Sequence, residues 1–312
     1  MAEQIQLFTR PVDIERFESH IERQKTPLQT SDIGYIYTVL AQCFLPYRDP
    51  KVSHWERRNG KYSMILSAGA VHHPNKPGAL LELGLPYGPK PRLFLAFINS
   101  VAVKRQSPVV PVARSMTGML RALGFEPRGG PRGTITSFKN QIMKLAACNF
   151  TIVGPGPKGG ETYTKAPPIK QFSVWIPTQA ESPKSNVWPT EIVLTDDYFE
   201  SLKYHAVPFD FRALGDIQNN ARAMDIFFWL TQRLPRLNKP LTMKWADLFE
   251  LFGGNLDIRN RRLFKQTFRD DALAAKLCYP SARMEETNEG FTFHPSPRLV
   301  PRVLITSPGP RQ

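Results

Sequence analysis

Cysteine is scarce in this sequence, and its spacing limits the chemistry that the chain can perform. The three cysteines, Cys43, Cys148 and Cys278, lie far apart in apolar surroundings, and none has a second cysteine at the CxxC spacing of metal and redox motifs. The pattern therefore excludes a disulfide framework and a cysteine-based metal centre. We expect three buried free thiols in a protein of a reducing compartment.

Long apolar runs are also absent. Nowhere do about 18 apolar residues follow one another, so the sequence predicts no membrane-spanning helix. The N-terminal segment carries Glu3, Asp13, Glu15 and Glu18 and lacks the continuous apolar stretch of a secretory signal. These features predict a cytoplasmic protein with no membrane attachment.

Acidic side chains are rare in two parts of the chain. Residues 91–180 contain 12 Lys and Arg but 2 Asp and Glu, and residues 258–269 contain 5 basic side chains and no acid. The whole 312-residue chain has 41 Lys plus Arg against 27 Asp plus Glu, a net charge of +14. Two basic concentrations in an otherwise nearly neutral chain favour a polyanionic partner, such as nucleic acid, over charge that serves solubility alone.

Proline and serine mark a boundary near the middle of the chain. Residues 175–189 lack hydrophobic periodicity and contain three prolines. The chain length suggests two domains, because a domain commonly has roughly 100–200 residues. We therefore predict an N-terminal arm at 1–30, a first domain at 31–178, a linker at 179–189, a second domain at 190–295 and a flexible tail at 296–312.

The first domain shows a recognisable order of predicted elements. A helix begins at Pro91 and is followed by the short strand SPVVPVA, and Ser115 is a candidate N-cap for a second helix. Thr134 is a candidate N-cap for a third helix, whose apolar residues recur at spacings of three and four. Two alternating segments joined by PGPKGG then predict a β-hairpin. Strand, two helices and hairpin is the order of a winged helix-turn-helix.

The same order returns after the boundary. Thr195 is a candidate N-cap, and later a short strand, PLTMKW, precedes a short helix that ends at Gly253 and Gly254. A long helix and a hairpin around residues 288–290 close the pattern. In that long helix we expect four apolar side chains to point inward: Leu263, Phe264, Phe268 and Leu273. The repetition predicts an α+β protein with two tandem winged-helix domains.

The polar faces of the third helix and of the later long helix have the residue types that bind DNA. Arg pairs bidentately with guanine, Asn and Gln pair with adenine, and Lys neutralises phosphate. A solvated helix usually mixes both signs of charge, and residues 259–269 contain no acid. The predicted DNA-binding residues are Arg128, Arg132, Thr136, Lys139, Asn140, Lys144, Lys158, Lys165, Arg259, Arg261, Arg262, Lys265, Gln266 and Arg269.

Four stretches of the chain resemble one known family in the same order. They are LPYGPKPRLFLAFINSVAV, GGPRGTITSFKNQIMKLA, WPTEIVLTDDYFESLKYHAVPFDFRAL and FTFHPSPRLVPR. Together they resemble the RepA-type plasmid replication initiators over roughly residues 35–300. The resemblance implies a plasmid-encoded bacterial protein with two winged-helix domains. Such a protein binds repeated double-stranded origin sites (iterons), helps open an A·T-rich stretch and recruits host replication proteins, such as a helicase or an initiator. It also implies control of copy number through repression of its own promoter by a homodimer.

Two other classes of function remain open. A transcriptional regulator with tandem winged helices would share these features but would not melt an origin. A metal-dependent DNA-processing enzyme would need clustered carboxylates, and the neighbouring pairs Asp196–Asp197 and Asp270–Asp271 fit solvated helix positions better.

Signals for catalysis are weak elsewhere in the chain. The adjacent His72 and His73 would point to opposite faces of a strand, so they fit a surface loop better than a metal site. The segment GPGPKGG lacks the Gly-Lys-Ser/Thr of a phosphate-binding loop. We expect no enzymatic activity, no cofactor and no metal.

Overall fold

The computed structural model of the protein describes residues 22–23, 25–73, 76–157, 160–171, 191–254 and 256–305. The predicted linker, most of the predicted arm and the end of the predicted tail lie outside these ranges. The division of the chain into domains at the predicted positions stays a prediction.

Helices and strands are mixed along the chain, which confirms the predicted α+β class. The helices of the described ranges are α1 (Pro89–Arg105), α2 (Met116–Ala122), α3 (Thr134–Ala147), α4 (Asp196–His205), α5 (Leu214–Ile217), α6 (Ala221–Arg233), α7 (Trp245–Phe252), α8 (Arg261–Cys278) and α9 (Arg302–Ile305). The strands are β1 (Ile33–Tyr37), β2 (His54–Asn59), β3 (Tyr62–Ser67), β4 (Ala70–His72), β5 (Leu80–Glu82), β6 (Val109–Pro111), β7 (Asn149–Pro155), β8 (Glu161–Lys165), β9 (Ile169–Gln171), β10 (Glu191–Leu194), β11 (Ala206–Asp210), β12 (Leu241–Lys244), β13 (Met284–Glu286) and β14 (Gly290–Phe293).

The strands form small antiparallel sheets. The largest has the order β2-β3-β7-β8, and two three-stranded sheets have the orders β6-β10-β9 and β12-β14-β13. Two strand pairs, β1-β11 and β4-β5, complete the set in the described part of the chain. Both predicted hairpins are present, because β7 pairs with β8 and β13 pairs with β14.

The predicted order of elements occurs twice, but the strand pairing differs between the two occurrences. The first runs α1-β6-α2-α3-β7-β8 and the second runs α6-β12-α7-α8-β13-β14. In the second, β12 pairs with β14, so the short strand joins its own hairpin. In the first, β6 pairs with β10, and the hairpin is extended by β3 instead. Sequence pattern predicted the order, whereas the pairing partners come from distant segments.

The two halves of the chain share strands and a buried core. Strand β1 pairs along its whole length with β11, from Ile33 opposite Asp210 to Tyr37 opposite Ala206. Strand β10, which follows the predicted linker, completes the sheet of β6 and β9. One cluster of buried apolar side chains contains residues of both halves, including Phe94 of α1 and Phe227 of α6. The core therefore runs through both occurrences of the repeated order.

Two of the three predicted helix caps are confirmed. The Ser115 hydroxyl accepts a hydrogen bond from the Gly118 amide at 3.0 Å, and the Thr195 hydroxyl accepts from Tyr198 at 3.4 Å. The third prediction was wrong, since the N-cap of α3 is Gly133 and Thr134 is its first helical residue. The Thr134 hydroxyl instead accepts from the Arg128 amide at 2.8 Å and stabilises the preceding loop.

The buried face of α8 is shifted by about one residue from the predicted face. Phe264 and Phe268 are buried as predicted, but Leu263 is 52% exposed and Leu273 is only partly buried. The inward positions continue through Ala272 and Ala275, because a step of three or four residues returns to the same side of a helix. Leu263 precedes Phe264 by one residue, so its side chain is rotated by about 100° around the helix axis from these buried positions.

Asp271 corrects a second expectation for α8, because it is buried instead of solvated. Its carboxylate accepts hydrogen bonds from Asn220 and from the Arg222 guanidinium. These partners supply the charge and the donors that a buried carboxylate needs.

The cysteines lie where the sequence predicted. Cys43, Cys148 and Cys278 are buried free thiols, and burial raises the pKa of each to about 12. They are therefore protonated at neutral pH. None of the helices in the described ranges is both long enough and apolar enough to cross a bilayer.

Candidate nucleic-acid interface

The N-terminal half of α8 carries the densest group of predicted DNA-binding residues. A short 3-10 turn, Ile258–Asn260, leads into the helix, and Asp257 caps this turn by accepting from the Arg259 amide at 2.9 Å. The Asp257 carboxylate also binds the exposed Arg259 guanidinium, with Nη2 to Oδ2 at 2.6 Å. This hydrogen bond raises the pKa of Arg259 and lowers that of Asp257. Arg259 is thus held at the start of the helix by a neighbouring acid.

Arg261 and Arg262 begin α8 and have a different environment. Both side chains are exposed, and no acidic side chain among the described residues contacts either of them. Cations at a helix N-terminus face the positive end of the helix dipole, which costs about 0.3–1 kcal/mol each. Helix stability therefore does not explain these two arginines. An anion at this position would interact favourably with both guanidinium groups and with the helix N-terminus.

Gln266 extends the exposed polar face of α8. It lies four residues after Arg262, and residues three or four apart are neighbours on a helix surface. The Gln266 side chain is exposed, and its amide has both donor and acceptor groups. Arg262 and Gln266 together present a guanidinium and an amide on one face.

Trp245 supports the next turn of this face. The Lys265 ammonium and the Arg269 guanidinium each lie 5.2 Å from the centre of its ring, within the range of cation–π attraction. The ring itself is nearly buried and contacts Phe268 and Phe291 edge to face, at 6.1 and 5.6 Å between ring centres. Trp245 therefore connects the basic face to the apolar core beneath it.

Arg269 is bound to the hairpin. Its Nη2 lies 2.6 Å from Oε1 of Glu286 on β13, and its Nε lies 2.9 Å from the same oxygen. The bond raises the pKa of Arg269, which remains charged. Sequence reasoning missed both Trp245 and Glu286. The only local signal for Trp245 was its place at the start of the helix before α8, and Glu286 gave none.

The predicted residues before and within α3 differ in their exposure and in their hydrogen bonds. Arg128 and Arg132 lie exposed in the loop before the helix, and Asn140 is exposed on it. The Thr136 hydroxyl donates to the Gly130 carbonyl at 2.8 Å, so it stabilises the loop. Lys139 is half-buried, and this burial lowers its pKa.

Lys144, at the other end of the polar side of α3, is engaged within the protein. Its Nζ lies 3.7 Å from an Asp49 carboxylate oxygen and 4.8 Å from the centre of the Tyr87 ring. The loops that bring Asp49 and Tyr87 to α3 are far away in sequence. The Lys144 ammonium is therefore less available to a DNA phosphate than its position on the helix predicts.

The hairpin after α3 exposes one predicted residue. Lys165 ends β8, opposite Thr151 of β7, and every residue of β8 is exposed. Lys158 lies outside the described residues. Strand β8 is thus a solvent-accessible edge strand of the four-stranded sheet β2-β3-β7-β8.

The residues weighed for catalysis lie on separate elements. His72 ends β4 and is exposed, and the Asp196 carboxylate is paired with Lys170 at 2.9 Å. In the described ranges, no group of three or more His, Cys, Asp or Glu side chains is arranged to hold a metal ion.

Comparison with known proteins identifies the family. The family model described as "Plasmid encoded RepA protein" matches residues 85–247, more than half of the chain, and the chain therefore belongs to this family. The resemblance seen in the sequence is confirmed, and membership supports a role as a plasmid replication initiator. The matched region ends within α7, so it does not include α8.

Two further comparisons add no information about the function of this chain. No curated protein matches the chain. A solved structure titled "Crystal structure of the RctB domains 2-3" is similar over 82% of this chain and 94% of its own, with 11% identity and a TM-score of 0.48. Because this TM-score is below 0.5, the likeness supports no inference about this chain.

Proposed function

We propose that this protein initiates plasmid replication by binding double-stranded origin repeats in a sequence-specific manner. In this proposal two tandem winged-helix domains, at 31–178 and 190–295, each bring a helix to the DNA. The bound protein helps open an adjacent A·T-rich stretch and recruits host replication proteins. As a homodimer it represses its own promoter.

One observation carries the DNA-binding part of the proposal. Arg261, Arg262 and Gln266 form an exposed polar face at the positive end of α8, and no acid among the described residues neutralises it. Arginine can pair with guanine O6 and N7, and glutamine can pair with adenine N6 and N7. The helix N-terminus adds a favourable position for a backbone phosphate.

The surroundings of α8 support its role as a recognition helix. It is the second helix of the pair α7 and α8, and the strands β12, β14 and β13 form one sheet beside the pair. In a winged helix-turn-helix, the second helix of the pair enters the major groove. The hairpin then lies beside the backbone or the minor groove.

The first pair of helices supports a second and weaker contact. Arg128, Arg132 and Asn140 are exposed at α3, whereas Lys144 is paired within the protein. Two modules in one chain raise the overall affinity through effective concentration. They also allow one molecule to contact successive major-groove faces, about 34–36 Å apart.

The test is the selection of bound duplexes from a random pool at about 0.15 M salt, where long-range electrostatic attraction is screened. We expect one motif of roughly 10–20 base pairs, the span of one or two major-groove contacts. Recovery of no motif would contradict sequence-specific binding.

Variants then locate the interface. Replacing Arg261, Arg262 and Lys265 by Ala should weaken binding to the selected motif by at least about 100-fold, because base and phosphate contacts are lost together. The replacement of His72 and His73 by Ala should have little effect. A charge-matched control is the combination of Lys61→Ala, Lys76→Ala and Arg105→Ala, three exposed basic residues outside α8. Equal losses in the α8 variant and in these controls would contradict the assignment of the site.

A second measurement separates an initiator from a transcriptional regulator. Permanganate reacts with unpaired thymines, so it detects an opened A·T-rich tract beside the bound repeats. An initiator should make such thymines reactive on supercoiled DNA. Binding without this reactivity would favour the regulator.

A further inference from the structure

Leu263 is an apolar side chain on the exposed polar side of α8. It is the third residue of the helix and is 52% exposed, whereas the next residue, Phe264, is 1% exposed. Three residues correspond to about 300° around a helix axis, so Leu263 and Gln266 lie about 60° apart. Arg262 and Gln266 are four residues apart and are also surface neighbours. The face that we assign to DNA therefore presents a guanidinium, an amide and an isobutyl group.

Neither helix stability nor core packing explains a leucine at this position. Leucine, arginine, lysine, glutamine and glutamate have nearly equal helix propensities, so a polar residue would suit the helix equally well. The buried side of α8 runs through Phe264 and Phe268 and does not include Leu263. Within α8, all of which the structure describes, Leu263 is the only exposed apolar side chain. It therefore does not belong to a wide apolar patch on this helix, the kind that marks a protein interface.

The methyl group of thymine is the partner in the major groove that suits this side chain. Guanine, adenine and cytosine present hydrogen-bond donors or acceptors there, whereas thymine presents the O4 acceptor and an apolar C5-methyl group. Leucine has no donor or acceptor, so its contact with a polar base edge would remove water from that edge without replacing the hydrogen bond. Contact with the methyl group removes water from two apolar groups, which is favourable. A leucine on this face thus selects thymine against the other three bases.

We propose that Leu263 is a specificity-determining residue that contacts the C5-methyl group of one thymine in each bound repeat. The N-terminal residues of a recognition helix reach the base edges, and Leu263 lies in the first turn of α8. Arg262 and Gln266 supply hydrogen bonds on the same face, and Leu263 adds a selection for thymine that depends on apolar contact. The inference rests on the proposed function, because it requires α8 to enter the major groove.

Deoxyuridine tests this contact, because it differs from thymidine only in the missing methyl group and keeps the same hydrogen-bonding groups. The duplex selected by the full chain is synthesised with one thymine at a time replaced by deoxyuridine. Fluorescence anisotropy measures the Kd of each labelled duplex at about 0.15 M salt. We expect one of these replacements to raise the Kd about fourfold, the effect of one buried methyl group. Replacement of thymines outside the contact should leave the Kd nearly unchanged.

Three variants assign the contact to Leu263. Leu263→Ala should bind the thymine and deoxyuridine duplexes with equal Kd, because the side chain that meets the methyl group is absent. Leu263→Met keeps an apolar side chain of similar volume and should retain the preference for thymine. The matched control is Leu80→Ala, since Leu80 is 66% exposed on β5 and its replacement should leave the ratio of the two Kd values unchanged. Thermal unfolding verifies that each variant is folded.

The outcomes separate this inference from the proposed function. If no deoxyuridine duplex binds more weakly, Leu263 does not contact a thymine methyl group and the inference is overturned. Persistence of the full difference between the two duplexes in Leu263→Ala would also overturn it, because another residue would then recognise the methyl group. In both cases the selected motif would still support sequence-specific binding. Failure to select any motif would contradict the proposed function and this inference together.

Discussion

The guanidinium of Arg92 in α1 binds the carboxylate of Asp225 in α6 through two hydrogen bonds of 2.8 Å. Both side chains are buried, and Arg92 also donates to the carbonyls of Leu45, Pro46 and Gly88. The Tyr47 ring lies 5.1 Å from the guanidinium. One charged pair therefore joins a helix of the first half to a helix of the second half.

Removing one member of this pair should destabilise the protein strongly. Asp225→Ala leaves a buried guanidinium without its carboxylate, and such a change costs about 3–5 kcal/mol of unfolding free energy. Urea denaturation followed by circular dichroism measures the loss. The matched control is Asp196→Ala, which removes an exposed carboxylate paired with Lys170 and should cost less than about 1 kcal/mol. Similar losses in the two variants would show that the Arg92–Asp225 pair has no special role.

The bond between Glu286 and Arg269 should reduce the affinity for non-specific DNA. Glu286→Gln removes the carboxylate that binds this guanidinium, so Arg269 becomes available for a phosphate. We expect tighter binding to random duplex, with a salt dependence whose slope is steeper by about 0.9, the value for one additional phosphate contact. Titrations at several salt concentrations measure it.

Glu285→Gln is the control for this prediction. Glu285 lies on the same strand and contacts His294 at 2.9 Å, so its replacement removes the same charge without freeing an arginine. A steeper slope in both variants would indicate a general effect of net charge.

Trp245 should matter for the orientation of the basic face as well as for stability. In Trp245→Leu, Lys265 and Arg269 lose the ring beneath them, and each cation–π contact of this kind contributes about 0.5–1 kcal/mol. We expect a loss of specific duplex affinity of about tenfold, measured by anisotropy on the selected motif below the unfolding temperature of the variant.

Trp55→Leu provides the matched control for Trp245. Trp55 is on β2 and has its own cationic neighbour, Arg57 at 5.1 Å, but lies away from α8. It should lose stability without the same loss of DNA affinity. Equal affinity losses would contradict the positioning role of Trp245.

A side chain at Gly254 should destabilise the protein more than one at Gly60. Its φ of +65° disfavours other residues, and a Cβ atom would lie 2.5 Å from the Tyr47 ring. Gly60 has a similar φ of +60°, but a Cβ atom there would have no neighbour within 4 Å. Gly60→Ala should therefore cost about 1 kcal/mol from backbone strain, and Gly254→Ala should cost at least about 1 kcal/mol more from the clash. Equal costs in urea denaturation would show that the contact with Tyr47 adjusts freely.

The helix caps show which features a sequence determines by itself. Ser115 and Thr195 bind an amide three residues further along, so the whole interaction lies within one turn of chain. The order of elements was predictable for the same reason, since helical and strand periodicities are local. Thr134 was the exception, because its hydroxyl bonds to the loop of Arg128 instead of the helix.

The candidate site was only partly predictable. The sequence alone determined where the positive charge lies along the chain, which helices carry it and, through four matching stretches, the family. Tertiary structure decided which charges are available. Lys144 is paired with Asp49, and Arg269 is paired with Glu286, while Arg261 and Arg262 remain exposed. Periodicity gives the side of a helix on which a residue lies, but its partners there come from segments that only long-range packing brings close.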